Sequence, residues 1–387
     1  MKICFITKYP PIEGGEASKS YWLARGLGKN GVKVFVITNA WEVETEFREK
    51  MEVEDLDFYQ PKNVKVFNTD PFINPPFIPY TKCYTEKIAS LALDAITSYN
   101  LEVIDSSYIL PYGIAGYLVK SITKLPQILK HAGSDITRLF ESPYLNTLFL
   151  KIFHFVDKII TTTYSKDLFI RLGIPESKLI LNKISIDLDA FNPHVEPLNN
   201  IPDGPVITFI GKHEETKGIY ELLQALHTIK NEFTLLIVTG GKNINKLIET
   251  IKKLRLAPKS VIMPFVPPWK VPSILKTSTC VVIPERNFPV TFHTPILPRE
   301  CWAVGTCTLL SKELYEKRSF EEIKENIHTL VVDPMDINEF RKKLEYVIKY
   351  PDIATQIGKE ANKISKKREK FKDYIKSRKK LYKEVLY

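Results

Sequence analysis

At 387 residues the chain exceeds the ~250–300 at which a single hydrophobic core stops growing, so two domains are the first expectation. Its composition is that of a globular protein, with 44% hydrophobic residues to fill two cores. Lysine and arginine outnumber aspartate and glutamate by 55 to 45, and the resulting +10 suits anionic ligands such as nucleotides, nucleic acid or a lipid surface without choosing among them.

Cys4, Cys83, Cys280, Cys301 and Cys307 form no CxxC pair and lie mostly in apolar runs. They read as small core residues in a reducing compartment rather than as a disulfide or zinc framework. The opening MKICFITKYPP has too short an apolar stretch for a signal peptide, and no run approaches the ~18 apolar residues of a spanning helix. A cytoplasmic protein is expected, with membrane contact only peripheral, at the inner membrane surface.

In chain order, residues 3–7 read as a short buried strand and residues 9–15 as a turn-rich loop ending in Gly14 and Gly15. Ala17, Tyr21, Ala24 and Leu27 then recur at helical spacing, Asn30-Gly31 stops the helix, and residues 32–38 give the next strand. Strand, Gly-Gly loop, helix, strand opens a parallel α/β domain, with ligands expected at the carboxyl ends of strands. The two glycines permit close backbone approach to a ligand, or simply the turn. The dinucleotide fingerprint GxGxxG is absent.

Residues 41–81 are irregular and include the proline-rich loop 70–79, which reads as a lid or binding loop or as a packed insertion. A helix over 86–99, a strand over 103–105 and a loop over 108–113 leading into a further helix come next. The strand at 127–130 delivers His131-Ala132-Gly133-Ser134-Asp135 to its carboxyl end, where an imidazole is a candidate ligand-binding group and Asp135 a candidate helix cap. Residues 139–155, dense in aromatics, suggest a core helix or one that touches lipid. Strands at 156–163 and 178–184 enclose a helix from Ser165. The triplet Asp187-Leu188-Asp189 reads as a turn or as a weak DxD metal motif, and residues 193–205 as a linker.

The second half restarts the rhythm. A strand over 206–210 ends at Gly211, Lys212 and Lys217 follow, and Gly218 opens a helix with Ile219, Leu222, Leu223 and Leu226 on one face. A cationic strand–loop–helix junction is suited to a phosphate, because free amides of a first helical turn and nearby ammonium groups both favour an anion. Strands at 233–238, 261–265, 280–284, 306–310 and 329–332 alternate with helices after Lys242 and Val271 and over 336–348. A helix begins at Pro298-Arg299-Glu300 and stops at Gly305, which places Glu300 where a carboxylate grips ligand hydroxyls or a backbone amide. The basic tail over 353–387 is helical, with an apolar seam through Ile364, Phe371, Ile375, Tyr382 and Val385. The expected division is 1–195, a linker 196–205, 206–365, and a basic carboxyl-terminal helix 366–387.

The order of YPPIEGG, HAGSD, KISIDLDAF, GKHEETKG and the ECWAVGT segment resembles the retaining nucleotide-sugar glycosyltransferases of the GT-B fold, family 4, over nearly the whole chain. The resemblance implies an α/β fold of two Rossmann-like domains facing a cleft, with the last helix packing back on the first domain. It implies that Gly14 and Gly15 offer backbone to a donor diphosphate, that Lys212 and Lys217 grip it, that His131 contacts the transferred sugar, and that Glu300 holds the nucleotide ribose. Phe292 stands where the family has the first of two paired glutamates, so that either His293 or Glu285 takes its place or the donor sugar is held differently. Ile184-Ser185 replaces the family's Asn-Gly, and Lys212 a forked Arg.

The implied reaction is hexose transfer from a nucleoside-diphosphate sugar to a sugar or lipid-linked acceptor, with retention, no cofactor, no metal and no nucleic-acid partner. Sugar-nucleotide epimerisation, phosphorolysis and a non-catalytic basic binding role are the alternatives.

Overall fold

The computed structural model describes residues 1–71, 83–183, 185–242, 244–290, 294–368 and 370–387. His293 and Phe292, Ile184 and most of the proline-rich loop 70–79 lie outside the described residues.

Two parallel sheets carry the fold. The first is built from β1 (Lys2–Ile6), β2 (Lys33–Thr38), β3 (Val64–Asn68), β4 (Val103–Ser107), β5 (Gln127–Lys130), β6 (Lys158–Thr161) and β7 (Leu179–Leu181), in the order β3-β2-β1-β4-β5-β6-β7. The second holds β8 (Val206–Ile210), β9 (Thr234–Val238), β10 (Ser260–Met263), β11 (Cys280–Ile283), β12 (Cys307–Ser311) and β13 (Leu330–Val332), in the order β10-β9-β8-β11-β12-β13. Runs such as KICFI and CVVI are apolar on both faces because helices cover both faces of a parallel sheet. In each sheet the chain leaves the central strand to one side and returns on the other. The reversal falls between β1 and β4 in the first sheet and between β8 and β11 in the second. Outside the carboxyl ends of strands at such a point a doubly wound sheet forms its ligand crevice.

Three local expectations are corrected. The irregular stretch after Trp41 contains β3, an edge strand too short and too mixed (VKVFN) to stand out by alternation. The helix expected over 139–155 begins only at Asn146 and runs Asn146–Phe155, because Pro143 has no amide to donate and biases Ser142 away from helix. The tail is two helices, Pro351–Lys367 and Phe371–Leu386, broken by extended backbone at Lys370.

That break sends the two tail helices to different halves. Asn362 on the first donates to the carbonyls of Ala303 (2.6 Å) and Trp302 (3.2 Å), closing the end of the helix Leu297–Val304. The second lies on the first half, where Arg378 forks onto both oxygens of Asp105 on β4 at 2.8 and 2.7 Å and the Tyr382 hydroxyl donates to the same carboxylate at 2.5 Å. All three are buried. An apolar cluster runs through this seam, joining Tyr21, Trp22 and Phe191 to Cys301, Trp302 and Tyr382. All five cysteines are free thiols, and four of them are core residues.

Candidate functional site

The site begins where β1 ends. Lys8 follows the strand, and Gly14, at φ 106°, holds a left-handed conformation that a side chain would strain. From it the chain enters the helix Gly15–Lys29 without a side-chain cap. The first capping bond is Ser18 N–H to the Gly14 carbonyl, so the amides of Gly15, Glu16 and Ala17 have no acceptor among the described residues. A helix start of this kind carries a partial positive charge and donors ready for an anion. Glu16 in the first turn is gripped by Lys19 and Lys130, each at 2.6 Å, and these two charges hold its carboxyl far below the usual range in spite of burial.

The matching corner of the second sheet is the loop after β8. Gly218 is left-handed at φ 71°, and a Cβ there would lie 2.1 Å from the Pro284 carbonyl oxygen, so only glycine lets this loop lie against the chain leaving β11. The contact is closed by Arg286 N–H to the Thr216 carbonyl at 3.0 Å. Lys217 thereby meets Glu285 at 2.5 Å and sits 4.4 Å over the Phe288 ring. His213 ties the same loop to the one after β9 through the Lys242 carbonyl at 2.6 Å. Lys212 points the other way, across the cleft. Its ammonium lies 3.0 Å from the buried Glu13 carboxylate of the first half and 5.0 Å over the Phe47 ring.

Further contacts close the mouth of the cleft. The segment bearing Phe47 pairs with the first loop through Glu13 N–H to the Phe47 carbonyl (3.0 Å) and Glu49 N–H to the Pro11 carbonyl (2.7 Å). It also reaches the second half: Glu46 accepts from Gly241 N–H, and Lys50 N–H donates to the Phe265 carbonyl, both at 2.8 Å. Beside it Asp55 accepts from Trp269 and Lys270, each at 2.6 Å.

Gly14, Gly15, Lys212 and Lys217, anticipated from the sequence, are thus all found at the two facing reversal points. His131 sits at the end of β5, beside the Lys130 that reaches Glu16. It is buried, with Nε2 2.9 Å from the Thr161 hydroxyl and Nδ1 3.1 Å from the Ala132 carbonyl. Burial lowers its pKa to about 4, so the imidazole is neutral at neutral pH. Asp135 organises this loop by accepting from Ala132 (2.7 Å) and Ile109 (3.1 Å), and burial raises its carboxyl to about 6.

Glu300, in the first turn of Leu297–Val304, is buried in the seam opposite Lys19, and desolvation raises it to about 7. It borders a cavity of about 630 Å³, counted with its open mouth, whose wall also includes Lys19, Lys130, Ile296, Tyr374 and Arg378. Glu285 is held by Lys217, while His293 is outside the described residues. In the DLD triplet Asp187, which is buried, pairs with Arg25 and accepts from Asp189 N–H at 3.2 Å, while Asp189 is exposed, so the triplet is a turn.

Sequence reasoning missed Lys8, Glu13 and Glu49. Their signal was position alone, at the carboxyl end of the first strand and in the irregular stretch that follows the second.

Two facing doubly wound sheets with a cationic cleft are the architecture of the GT-B glycosyltransferases, and residues 193–364 match the family described as glycosyl transferases group 1. The second half therefore carries a group 1 glycosyltransferase domain, and the chain as a whole has the GT-B fold. It is 25% identical over 336 residues to an uncharacterized glycosyltransferase of Methanocaldococcus jannaschii, covering 80% of each chain. Among solved structures, sucrose-phosphate synthase from Thermosynechococcus elongatus superposes with a TM-score of 0.71 at 15% identity, covering 99% of this chain and 98% of that one. HepE of Anabaena, in complex with UDP-glucose, gives a TM-score of 0.67 at 15% identity, covering 100% and 99%. At such identities the structural likeness speaks for the fold.

Proposed function

We propose that the chain moves a hexose from a nucleoside-diphosphate sugar to an acceptor hydroxyl, with retention at the anomeric carbon and without a metal ion. One observation carries this: the two reversal points face each other, with the uncapped helix start at Gly15 on one side and Lys212 and Lys217 on the other. Both lysines already hold carboxylates in the geometry they would offer to phosphate oxygens. The UDP-glucose bound to HepE supports the donor class.

In the reaction the bond from the anomeric carbon to the phosphate oxygen breaks, a bond to the acceptor oxygen forms, and the acceptor proton leaves with the diphosphate. Negative charge grows on the leaving phosphate, and preorganised cations and amides aimed at it are the largest catalytic term available. Lys212 and Lys217, with the amides of Gly14 and Gly15, take the part a divalent cation would otherwise play. Glu300 holds the ribose, neutral His131 meets the transferred sugar, and His293 or Glu285 serves where Phe292 replaces a glutamate.

Residues 1–195 form the acceptor-side unit and 206–365 the donor-side unit, joined by 196–205, with the basic helix 366–387 returning to the first. Closure of the mouth excludes water. The acceptor is a sugar or a lipid-linked acceptor, and the setting is cytoplasmic. No helix among the described residues is long and apolar enough to cross a membrane. Peripheral contact with an anionic membrane is supported by the helix Asn146–Phe155, which buries Phe149, Ile152 and Phe153 but exposes Leu148, Lys151 and Phe155. Leu148→Ser with Phe155→Ser is expected to reduce co-sedimentation with anionic vesicles, and unchanged sedimentation removes that part of the proposal.

The decisive variant is Lys217→Ala, expected to lower both transfer and donor hydrolysis by ~10²–10³. An unaffected rate would sink the assignment. The anomeric proton coupling of the product, read by NMR, tests retention.

A further inference from the structure

Around the cleft the cations come with carboxylates. Lys19 and Lys130 share Glu16, Lys212 holds Glu13, Lys217 holds Glu285 and Lys270 holds Asp55. Lys8 is the departure from this pattern. Its half-buried ammonium makes no hydrogen bond and no ion pair among the described residues. It lies at the carboxyl end of β1, the central strand at the reversal point, and a Cβ built on Gly14 would be 3.5 Å from its Nζ.

The carboxylates near Lys8 offset its burial only in part, and none forms an ion pair with it among the described residues. Glu13, the strongest opposite charge it feels, is engaged by Lys212 from the other half. Glu49 is buried, burial drives its carboxyl well above the usual range, and its Oε2 has no hydrogen-bond partner. A carboxyl so disfavoured in its charged form is a weakened countercharge for Lys8. Burial and the approach of Lys212 both press on the Lys8 ammonium, which Glu13, Glu49 and Glu16 together only partly relieve. A desolvated charge without a partner is a cost to folding, and two ammonium groups converging from opposite sides of a cleft are the arrangement that an anion between them relieves.

We propose that Lys8 is a further binding residue for the donor's diphosphate, reaching it from the first sheet beside the Gly15 helix start while Lys212 and Lys217 reach it from the second. The inference rests on the diphosphate reading of the cleft and deepens it. It adds a full charge to the first half's side of the grip, so that the anion itself draws the two halves together.

The test uses the full chain and inorganic pyrophosphate, titrated calorimetrically into wild type, Lys8→Met, Lys8→Arg and Lys217→Ala. Loss of one charge-assisted contact is expected to weaken pyrophosphate binding by about 10- to 100-fold in Lys8→Met, whereas Lys8→Arg, which keeps the charge, retains most of it. Unliganded Lys8→Met is expected to melt no lower than wild type, since an unpartnered ammonium contributes nothing to folding.

Wild-type affinity in Lys8→Met together with a loss in Lys217→Ala would overturn the role of Lys8 and leave the diphosphate reading standing. Wild-type affinity in both variants would overturn both. A marked fall in the melting temperature of Lys8→Met, or failure of both Lys8→Met and Lys8→Gln to fold, would show a structural role and overturn the proposal as well.

Discussion

The two halves are fastened to each other twice, and the fastenings are made of different materials. On the hinge side Trp22, Phe191 and Trp302 share one apolar cluster, and the Asp105–Arg378–Tyr382 group is buried beside it. At the mouth the contacts are polar and partly exposed: Lys212 to Glu13, Asp55 to Lys270, and two backbone bonds through Glu46 and Lys50. Buried apolar surface and a buried forked ion pair separate only at high cost, whereas half-exposed ion pairs exchange readily with water or with a competing anion. The difference identifies the mouth as the separable contact, and on the proposed diphosphate reading Lys212, whose partner belongs to the other half, is the residue that would link phosphate to closure. Lys217, paired inside its own half, keeps its place whether the mouth is open or shut.

The strongest way to break this contrast is at the hinge. Arg378→Ala leaves the Asp105 carboxylate buried without its cation and is expected to cost roughly 3–5 kcal/mol, seen as a large drop in the urea midpoint. A negligible change would mean that the last helix is not a permanent part of the first half. Next comes the pair of lysines. Lys212→Ala and Lys217→Ala are each expected to lose ~10²–10³ in turnover, but only Lys212→Ala should also expand the unliganded protein in small-angle scattering. Equal expansion in the two would erase the distinction between them.

Glu300 sharpens the hinge side through pH. Desolvation raises its carboxyl in the folded chain from 4.5 to about 7. Its contribution to stability is therefore full below pH 4.5 and is lost as the pH rises through about 7. Glu300→Gln is expected to flatten stability across that window and to exceed wild type at higher pH, and an unchanged pH profile would contradict the buried placement. The smallest effect belongs to the mouth. Asp55→Asn weakens the contacts to Trp269 and Lys270 by about 1 kcal/mol, which should open the cleft slightly in scattering with little change in the denaturation midpoint.

Much of this could be read before the fold was known, and for a physical reason. Strands such as 206–210 are continuous apolar runs, and Gly14, Gly15, Gly211 and Gly218 punctuate strand–loop–helix junctions locally, so Lys212 and Lys217 stood out by position. What could not be read depends on contacts distant in sequence. Arg378 and Asp105 are 273 positions apart, and Trp269 and Asp55 are 214 apart. The lack of a partner at Lys8 is visible only when its surroundings are known. The edge strand β3 escaped because its VKVFN pattern is only half buried, and the late helix start at Asn146 because an apolar run hid the effect of Pro143.

The central claim is that a diphosphate is held between the two reversal points and takes Lys212 from Glu13. A crystal structure with the nucleoside diphosphate that gives the largest thermal shift tests it most directly. The account predicts phosphate oxygens within hydrogen-bond reach of the Gly15 amide and of the Lys212 and Lys217 ammonium groups, with Glu13 turned away. A diphosphate bound elsewhere, with the Lys212–Glu13 pair intact, would contradict it.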